Sequence, residues 1–138
     1  MKPLDKMNID DMYKMAGIDR MKLQSALKQM GKKYINGKEY KDEWTEDNPT
    51  RHYCYVVSEM VKYYYLNDAT PHILKNIEGE TLNHRYLVYN NEVIDLTQDQ
   101  FDNPNKLNYN EGKPQSFMYV KEGISKRAKL LKELYDQL

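Results

Sequence analysis

The sequence contains one cysteine, few glycines and prolines, and no long run of apolar residues. A single cysteine excludes an internal disulfide, and the opening stretch lacks the apolar segment of a secretory signal, so we expect a cytoplasmic protein. The most apolar stretch, residues 56–66, is interrupted by Ser58, Glu59 and Lys62. A membrane span needs about 20 mostly apolar residues, so no membrane association is expected.

The chain also lacks an excess of charge of either sign. Its 21 Lys and Arg residues balance 21 Asp and Glu residues to a formal net charge of +0. Without a long-range field, neither nucleic acid nor an anionic membrane surface is an expected partner. The 138 residues, 40% of them hydrophobic, suit a single folded domain over 1–138 and are too apolar for a disordered chain. The abundance of Lys, Asn and Tyr is compatible with a low-GC bacterium or one of its phages.

Apolar residues recur at helical spacing in both terminal parts of the chain and in one central segment, with short alternating runs between them. Residues 9–30 predict two helices separated at Gly17, with Asp19 capping the second. The first lies in an N-terminal extension, 1–18, ahead of a core over 19–138. The remaining expectations are a loop or small hairpin at 32–50, helices at 51–66 and 124–138, and antiparallel strands at 72–77, 84–89, 92–96 and 116–121. The predicted class is therefore α+β, with a central helix packed on a small antiparallel sheet and further helices at both ends.

A two-residue turn, Asn90-Asn91, connects two of the predicted strands. Asparagine tolerates a positive φ better than other non-glycine residues, which favours a tight hairpin. The register then starts with Tyr89 opposite Glu92, and it puts His84 and Asp95 on one face as diagonal neighbours. Such neighbours lie about 7–8 Å apart at the backbone, within side-chain reach. The Asp95 carboxylate can therefore orient the His84 imidazole.

The only cysteine, Cys54, falls in the first turn of the predicted central helix. Unpaired N–H groups and the helix dipole favour a thiolate at that position. With His84 and Asp95 it would form a set of nucleophile, general base and orienting acid. Residue types alone leave other interpretations open. A lone cysteine is more often a small buried hydrophobe, His84 can be an ordinary strand histidine, and Asp95 can cap the end of its strand.

His52 adds a metal hypothesis, because with Cys54, His84 and Asp95 it could supply ligands for a divalent transition metal. The chain has neither the CxxC nor the HExxH spacing that would support such a site, so no metal or other cofactor is expected. The third histidine, His72, is expected to face solvent at the start of its strand.

Several segments follow one another along the chain in an order that is typical of one family. They are LQSALKQM in the second helix, Trp44, NPTRHYC at the central helix, HRYLVYNN, DLTQDQF from Asp95 to Phe101, and KRAKLLKEL in the closing helix. Together they resemble the YunG-like family of small bacterial proteins, related to the papain-like and transglutaminase-like cysteine enzymes. The run DLTQDQF after a histidine strand is the most specific part of the resemblance, which spans most of the chain.

The resemblance implies a papain-like core, NlpC/P60-like or transglutaminase-like, in which Cys54 is the nucleophile, His84 the base and Asp95 the orienting acid. Asn48 stands six residues before Cys54, where papain-like enzymes place an amide that donates to the oxyanion. It can equally be a turn residue before a proline. His52 is the other candidate for an oxyanion or orienting role.

Aromatic residues near these positions complete the predicted site. Trp44, Tyr53 and Tyr86 are the candidates for contact with substrate. The pair His52-Tyr53 stands directly before Cys54, where the family pattern has Gly-Gln. We expect this departure to change the shape of the site that would bind the oxyanion.

Two functions follow as hypotheses. The first is a cysteine-nucleophile hydrolase or acyl transferase that acts on an amide, peptide or thioester bond of a protein, a peptide or a small amide. The second is a papain-like module without turnover that binds or inhibits a partner. A phage-encoded module of that kind would be directed at a host protein or defence pathway.

Overall fold

The computed structural model describes residues 3–30, 34–35, 38–39, 53–75, 83–101, 107–115 and 123–138. Its helices are α1 (Ile9–Ala16), α2 (Arg20–Met30), α3 (Cys54–Tyr64) and α4 (Lys126–Asp136), and its strands are β1 (Tyr34–Ile35), β2 (Lys38–Glu39), β3 (Thr70–Lys75), β4 (Asn83–Tyr89), β5 (Glu92–Ile94) and β6 (Lys113–Pro114). Short 3-10 turns lie at Gln98–Gln100 and Tyr109–Glu111. The arrangement confirms the predicted α+β class.

The two N-terminal helices begin and end at the residues that the sequence predicts. The Asn8 side chain accepts from the Asp11 N–H at the start of α1, and Gly17 ends that helix with φ 71°. A positive φ is the conformation that glycine adopts without a steric penalty. The Asp19 carboxylate then accepts from the Lys22 N–H at 2.9 Å, as expected of a cap on α2.

A four-stranded antiparallel sheet in the order β5-β4-β3-β6 forms the second layer. The predicted hairpin register is confirmed, with Tyr89 paired to Glu92. Asn90 and Asn91 adopt φ values of 50° and 65°. However, β5 ends at Ile94, so Asp95 follows the strand and is not a member of it.

The outer strands depart from the sequence prediction. β3 begins at Thr70, two residues before the predicted start. Beside it lies β6, a two-residue strand that the alternation pattern does not reveal. Its Pro114 is at a sheet position that proline tolerates, an edge. The strand predicted at 116–121 lies outside the described residues, and so do residues 36–37 between β1 and β2.

Helix α3 packs against β4, while α4 packs against α2 and α3. The inward face of α3 carries Val56, Val57, Met60 and Val61, all buried as the helical spacing predicts. In the described part of the chain, no helix is long and apolar enough to cross a lipid bilayer.

A buried carboxylate joins α3 to the start of α4. Glu59 accepts from the Ser125 N–H at 3.0 Å and from the Ser125 hydroxyl at 2.6 Å. The same hydroxyl oxygen accepts from the Ala128 N–H and so caps α4. A negative charge at a helix N-terminus is favourable, and here it fixes the helix that begins with Cys54.

The segment before α2 packs against the outer side of β5 and the residues that follow it. Asp5 pairs in parallel with Glu92, and the Tyr13 hydroxyl donates to the Leu96 carbonyl at 2.9 Å. The Met12 sulfur accepts from the Asp95 N–H at 3.3 Å. The N-terminal helix therefore supports the chain on both sides of Asp95.

Met12 is fully buried, whereas Met15 on the same helix is 43% exposed. We expect Met12→Ala to lower the free energy of unfolding by about 2–5 kcal/mol, because it leaves a cavity beside the Asp95 segment. Met15→Ala is the matched control and should change it by less than about 0.5 kcal/mol. Urea denaturation followed by circular dichroism measures both, and equal losses would contradict the assigned packing.

The Glu59–Ser125 contact gives a second stability prediction. Glu59→Gln replaces one acceptor oxygen by an NH₂ group and removes the charge at the α4 N-terminus. We expect a loss of about 1–3 kcal/mol in the free energy of unfolding. Glu133→Gln, on the exposed side of α4, is the control and should be nearly neutral. A neutral Glu59→Gln would show that this carboxylate does not anchor the helix.

Candidate active site

Cys54 is the first residue of α3, and its thiol is partly buried. The first i to i−4 hydrogen bond at this helix start runs from the Val57 N–H to the Tyr53 carbonyl at 3.0 Å. The N–H groups of the first turn therefore precede the helical ladder and point towards the helix start. Their partial positive charge favours an anionic sulfur there.

His84 lies on β4 and is completely buried. Its Nε2 donates to Asp95 Oδ2 at 2.6 Å. The Phe101 ring meets the imidazole edge-on at 4.8 Å between centroids, and Tyr86 lies stacked beside it at 6.3 Å. The hydrogen bond to Asp95 and the two aromatic neighbours thus restrict the orientation of the ring.

Asp95 is 1% exposed, so its charge depends on hydrogen bonds from protein groups. Besides His84, the Tyr109 hydroxyl donates to Oδ2 at 2.7 Å. The Thr97 N–H donates to Oδ1 at 3.3 Å, with the Thr97 hydroxyl at 3.5 Å. Both carboxylate oxygens therefore have donors, as a buried anion requires.

The pKa of the Cys54 thiol responds to the His84 imidazole and to the backbone of Arg85. Burial alone raises the pKa of Cys54, but these two groups bring it below its ordinary value of 9.0. For His84 burial has the opposite effect and lowers the pKa. The charge and hydrogen bond of Asp95, together with Cys54, outweigh it and raise the pKa of His84 to about 10. These directions favour a thiolate paired with an imidazolium at neutral pH.

The run from Asp95 to Phe101 surrounds the imidazole. Its first residue holds Nε2, its last packs on the ring, and the Gln100 amide nitrogen lies 3.3 Å from Nδ1. The same amide nitrogen donates to the Thr97 carbonyl at 3.2 Å. The segment that is most specific in the sequence is therefore the one that contacts His84 on several sides.

The other predicted site residues fall into two groups. Trp44, Asn48 and His52 lie outside the described residues. Tyr53 and Tyr86 are both fully buried, which is a placement typical of core packing. Their part in substrate binding stays a prediction.

The surroundings of Tyr86 explain why residue 112 is a glycine, and they correct the expectation that His72 faces solvent. The Tyr86 hydroxyl donates to the Tyr109 carbonyl at 2.6 Å. Gly112 lies so close to this hydroxyl that a Cβ there would come within 1.8 Å of it. His72 does not face solvent freely, because it is half-buried and packs on Tyr86 at 5.6 Å between ring centroids.

Sequence reasoning missed four residues around the imidazole and its acid. Three of them, Thr97, Gln100 and Phe101, belong to the DLTQDQF run, and the resemblance of this run to the family pattern was the available signal. Tyr109 gave none, since it reaches Asp95 from 14 positions further along the chain. Only the fold brings its hydroxyl to the carboxylate.

The sequence model of the family described as YunG protein matches residues 19–137. The chain belongs to the YunG family. Cys54, His84, Asp95 and the surrounding loop all lie within the matched part, whereas α1 precedes it. Comparisons with curated proteins and with solved structures found no match.

Metal binding was the alternative for the same side chains. Within the ranges that the structure describes, no group of three or more His, Cys, Asp or Glu residues is placed to hold a metal ion. Asp95 instead accepts hydrogen bonds from His84 and Tyr109.

The pKa directions predict how Cys54 reacts with iodoacetamide as pH changes. Because the pKa of Cys54 is lowered, alkylation should reach half its maximal rate below pH 9.0, the ordinary thiol value. Asp95→Asn removes the charge that raises the pKa of His84, so the imidazolium is lost. The Asp95 charge also raises the pKa of the thiol directly, but the lowering effect of His84 is larger, so the net result is a higher thiol pKa. We expect the alkylation rate at pH 7 to fall about tenfold or more.

Asp68→Asn is the matched control, since Asp68 is exposed in the turn after α3. Its alkylation profile should coincide with that of the unmodified protein. Mass spectrometry of the alkylated chain measures the rate at each pH. A profile with its midpoint near pH 9 in the unmodified protein would contradict the thiolate–imidazolium pair.

Proposed function

We propose that this protein is a cysteine-dependent hydrolase or acyl transferase that acts on an amide, peptide or thioester bond. The proposal is carried by the 2.6 Å bond between His84 and Asp95, together with Cys54 at the start of the helix that packs on the His84 strand. The pKa of the thiol is lowered and that of the imidazole is raised. A structural cysteine buried among apolar groups would have a raised pKa, so this pairing favours chemistry.

The proposed reaction begins when the Cys54 sulfur attacks the carbonyl carbon of the substrate. The C–S bond forms while the π electrons of the C=O bond move to oxygen, which gives a tetrahedral oxyanion. The imidazolium of His84 then passes its Nδ1 proton to the leaving group, whose bond to carbon breaks. The acyl group leaves Cys54 when water or another nucleophile attacks, with neutral His84 accepting the proton of that nucleophile.

Asp95 has a supporting part in this scheme. Its bond to Nε2 orients the imidazole, leaves Nδ1 as the nitrogen for proton transfer, and stabilises the positive charge that the ring carries. Tyr109 and Thr97 hold the carboxylate in place through hydrogen bonds to its two oxygens.

A papain-like relationship belongs to the same proposal. It is supported by a helix that starts with the cysteine, packs on the strand that carries the histidine, and faces an acid placed just after the neighbouring strand. Membership of the YunG family, in which the resemblance assigns the same three roles, adds to this support.

A binding or inhibitory module without turnover is the competing proposal. The pair His52-Tyr53 stands where the YunG-like pattern has Gly-Gln, and the Tyr53 ring is fully buried next to the nucleophile in the sequence. Under this proposal Cys54 keeps its contacts but no acyl group is transferred.

Acylation by p-nitrophenyl acetate separates the two proposals. We expect a burst of p-nitrophenol and a mass increase of one acetyl group on Cys54, followed by slow hydrolysis. Cys54→Ala should abolish the burst and leave only the slow background acylation of surface lysines. A burst of equal size in Cys54→Ala, or no acetyl group on Cys54 in the unmodified protein, would overturn the enzyme proposal.

A further inference from the structure

We propose that Tyr109 is a positioning residue that, by donating its hydroxyl to Asp95, limits how tightly the carboxylate holds the protonated imidazole of His84. The inference rests on the proposed acyl-transfer function, in which His84 must both give and accept a proton. It assigns to Tyr109 a part beyond keeping the carboxylate in place, because the hydroxyl makes it easier for His84 to lose its proton.

The two closest donors to Asp95 share one oxygen. His84 Nε2 lies 2.6 Å and the Tyr109 hydroxyl 2.7 Å from Oδ2, whereas the Thr97 contacts to Oδ1 are longer, at 3.3 and 3.5 Å. Donors on the same oxygen are drawn to the same negative charge, so each weakens the bond of the other. The Tyr109 hydroxyl therefore reduces the pull of Asp95 on the imidazolium.

The hydroxyl of Tyr109 stays protonated when His84 changes its charge. Its side chain is 4% exposed, and burial raises its pKa, with the Asp95 charge and the hydrogen bond to Asp95 acting in the same direction. A neutral hydroxyl has one proton to donate, and here that proton is directed to Oδ2. The donation to Asp95 is thus permanent, unlike the second proton on His84.

Contacts with two separate segments fix the ring of Tyr109. The Tyr86 hydroxyl donates to the Tyr109 carbonyl at 2.6 Å, and the two rings meet edge-on at 4.9 Å between centroids. From the N-terminal segment, the Lys6 ammonium lies 5.5 Å from the centroid of the Tyr109 ring, and the Leu4 N–H donates to the Asn110 side chain at 2.8 Å. None of these contacts involves His84, so they hold the hydroxyl at the carboxylate in both charge states of the imidazole.

The titratable groups around His84 come from four parts of the chain. They are Cys54 at the start of α3, Tyr86 on β4, Asp95 after β5, and His72 on β3, which packs on Tyr86. Burial lowers the pKa of His84, while Asp95 raises it most, followed by Cys54. Removing the thiol therefore leaves Asp95 as the main group that holds the proton, and Tyr109 as the donor that competes for the same oxygen.

The test is an NMR titration of His84 in Cys54→Ala protein, where no thiol titrates together with the imidazole. The His84 signal is identified by its absence from a His84→Gln variant. Tyr109→Phe keeps the ring and removes the hydroxyl, so Oδ2 no longer divides its charge between two donors. We expect it to raise the pKa of His84 by about 0.5–1.

A 3-fluorotyrosine in place of Tyr109 should have the opposite effect. Its hydroxyl is more acidic than that of tyrosine and is the stronger donor, so it should lower the pKa of His84. Because this residue keeps the hydroxyl and almost the same volume, it tests the inference even where Tyr109→Phe fails to fold. Opposite changes at one position are a result that a purely structural hydroxyl does not give.

Tyr13→Phe is the matched control, since it removes another buried hydroxyl beside the Asp95 segment. That hydroxyl donates to the Leu96 carbonyl at 2.9 Å and not to the carboxylate, so the pKa of His84 should stay unchanged. In Tyr109→Phe, a fall of the His84 pKa towards its ordinary value of 6.5 would show that the hydroxyl only keeps Asp95 in position. Such a fall, or no change, overturns the inference.

Hydrolysis of the acetyl-enzyme connects the titration to the reaction. This step needs neutral His84, so the pH at which it reaches half its maximal rate should move upwards in Tyr109→Phe. An acetyl-enzyme that forms normally while neither this pH nor the His84 pKa moves overturns the role of Tyr109 alone. A raised His84 pKa in a protein that forms no acetyl-enzyme overturns the proposed function and leaves the effect of Tyr109 on Asp95.

Discussion

A carboxylate buried away from water keeps its charge only where hydrogen-bond donors surround it, and the packing of this protein converges on Asp95 for that reason. The donors come from separate parts of the chain, namely His84 on β4, Thr97 in the loop and Tyr109 beyond it. The contacts of Thr97 and Tyr109 fix segments outside the helices and strands. The position of the carboxylate therefore organises the loop as much as it orients the imidazole.

The thiol end of the site depends on a different kind of support. Helix α3 presents Cys54 at its start, and Glu59 one turn further along is anchored to the Ser125 cap of α4. This anchor fixes the position of α3 on the sheet, so the partial positive charge at the start of the helix stays next to the sulfur. Because β4 carries His84 and packs against this helix, two elements with independent anchors define the distance between nucleophile and base.

Much of this arrangement is readable from local sequence. Asn90-Asn91 predicts the hairpin register because few residues adopt its φ values, and Gly17 with Asp19 predicts the boundary between α1 and α2. The proximity of His84 and Asp95 follows from that register. The contacts of Tyr109 and Gln100 do not, since they depend on how loops return to the sheet. The two-residue β6 is likewise too short to leave an alternating pattern.

The parallel bridge between Asp5 and Glu92 also bears on how this chain behaves among its own copies. β5 is the outermost strand on its side of the sheet, and its Val93 N–H and Asn91 carbonyl are hydrogen-bonded to Asp5. Such groups on a bare sheet edge invite a neighbouring molecule to add a strand. The N-terminal segment occupies them within the molecule, so the strand that leads into Asp95 is shielded from edge-to-edge aggregation.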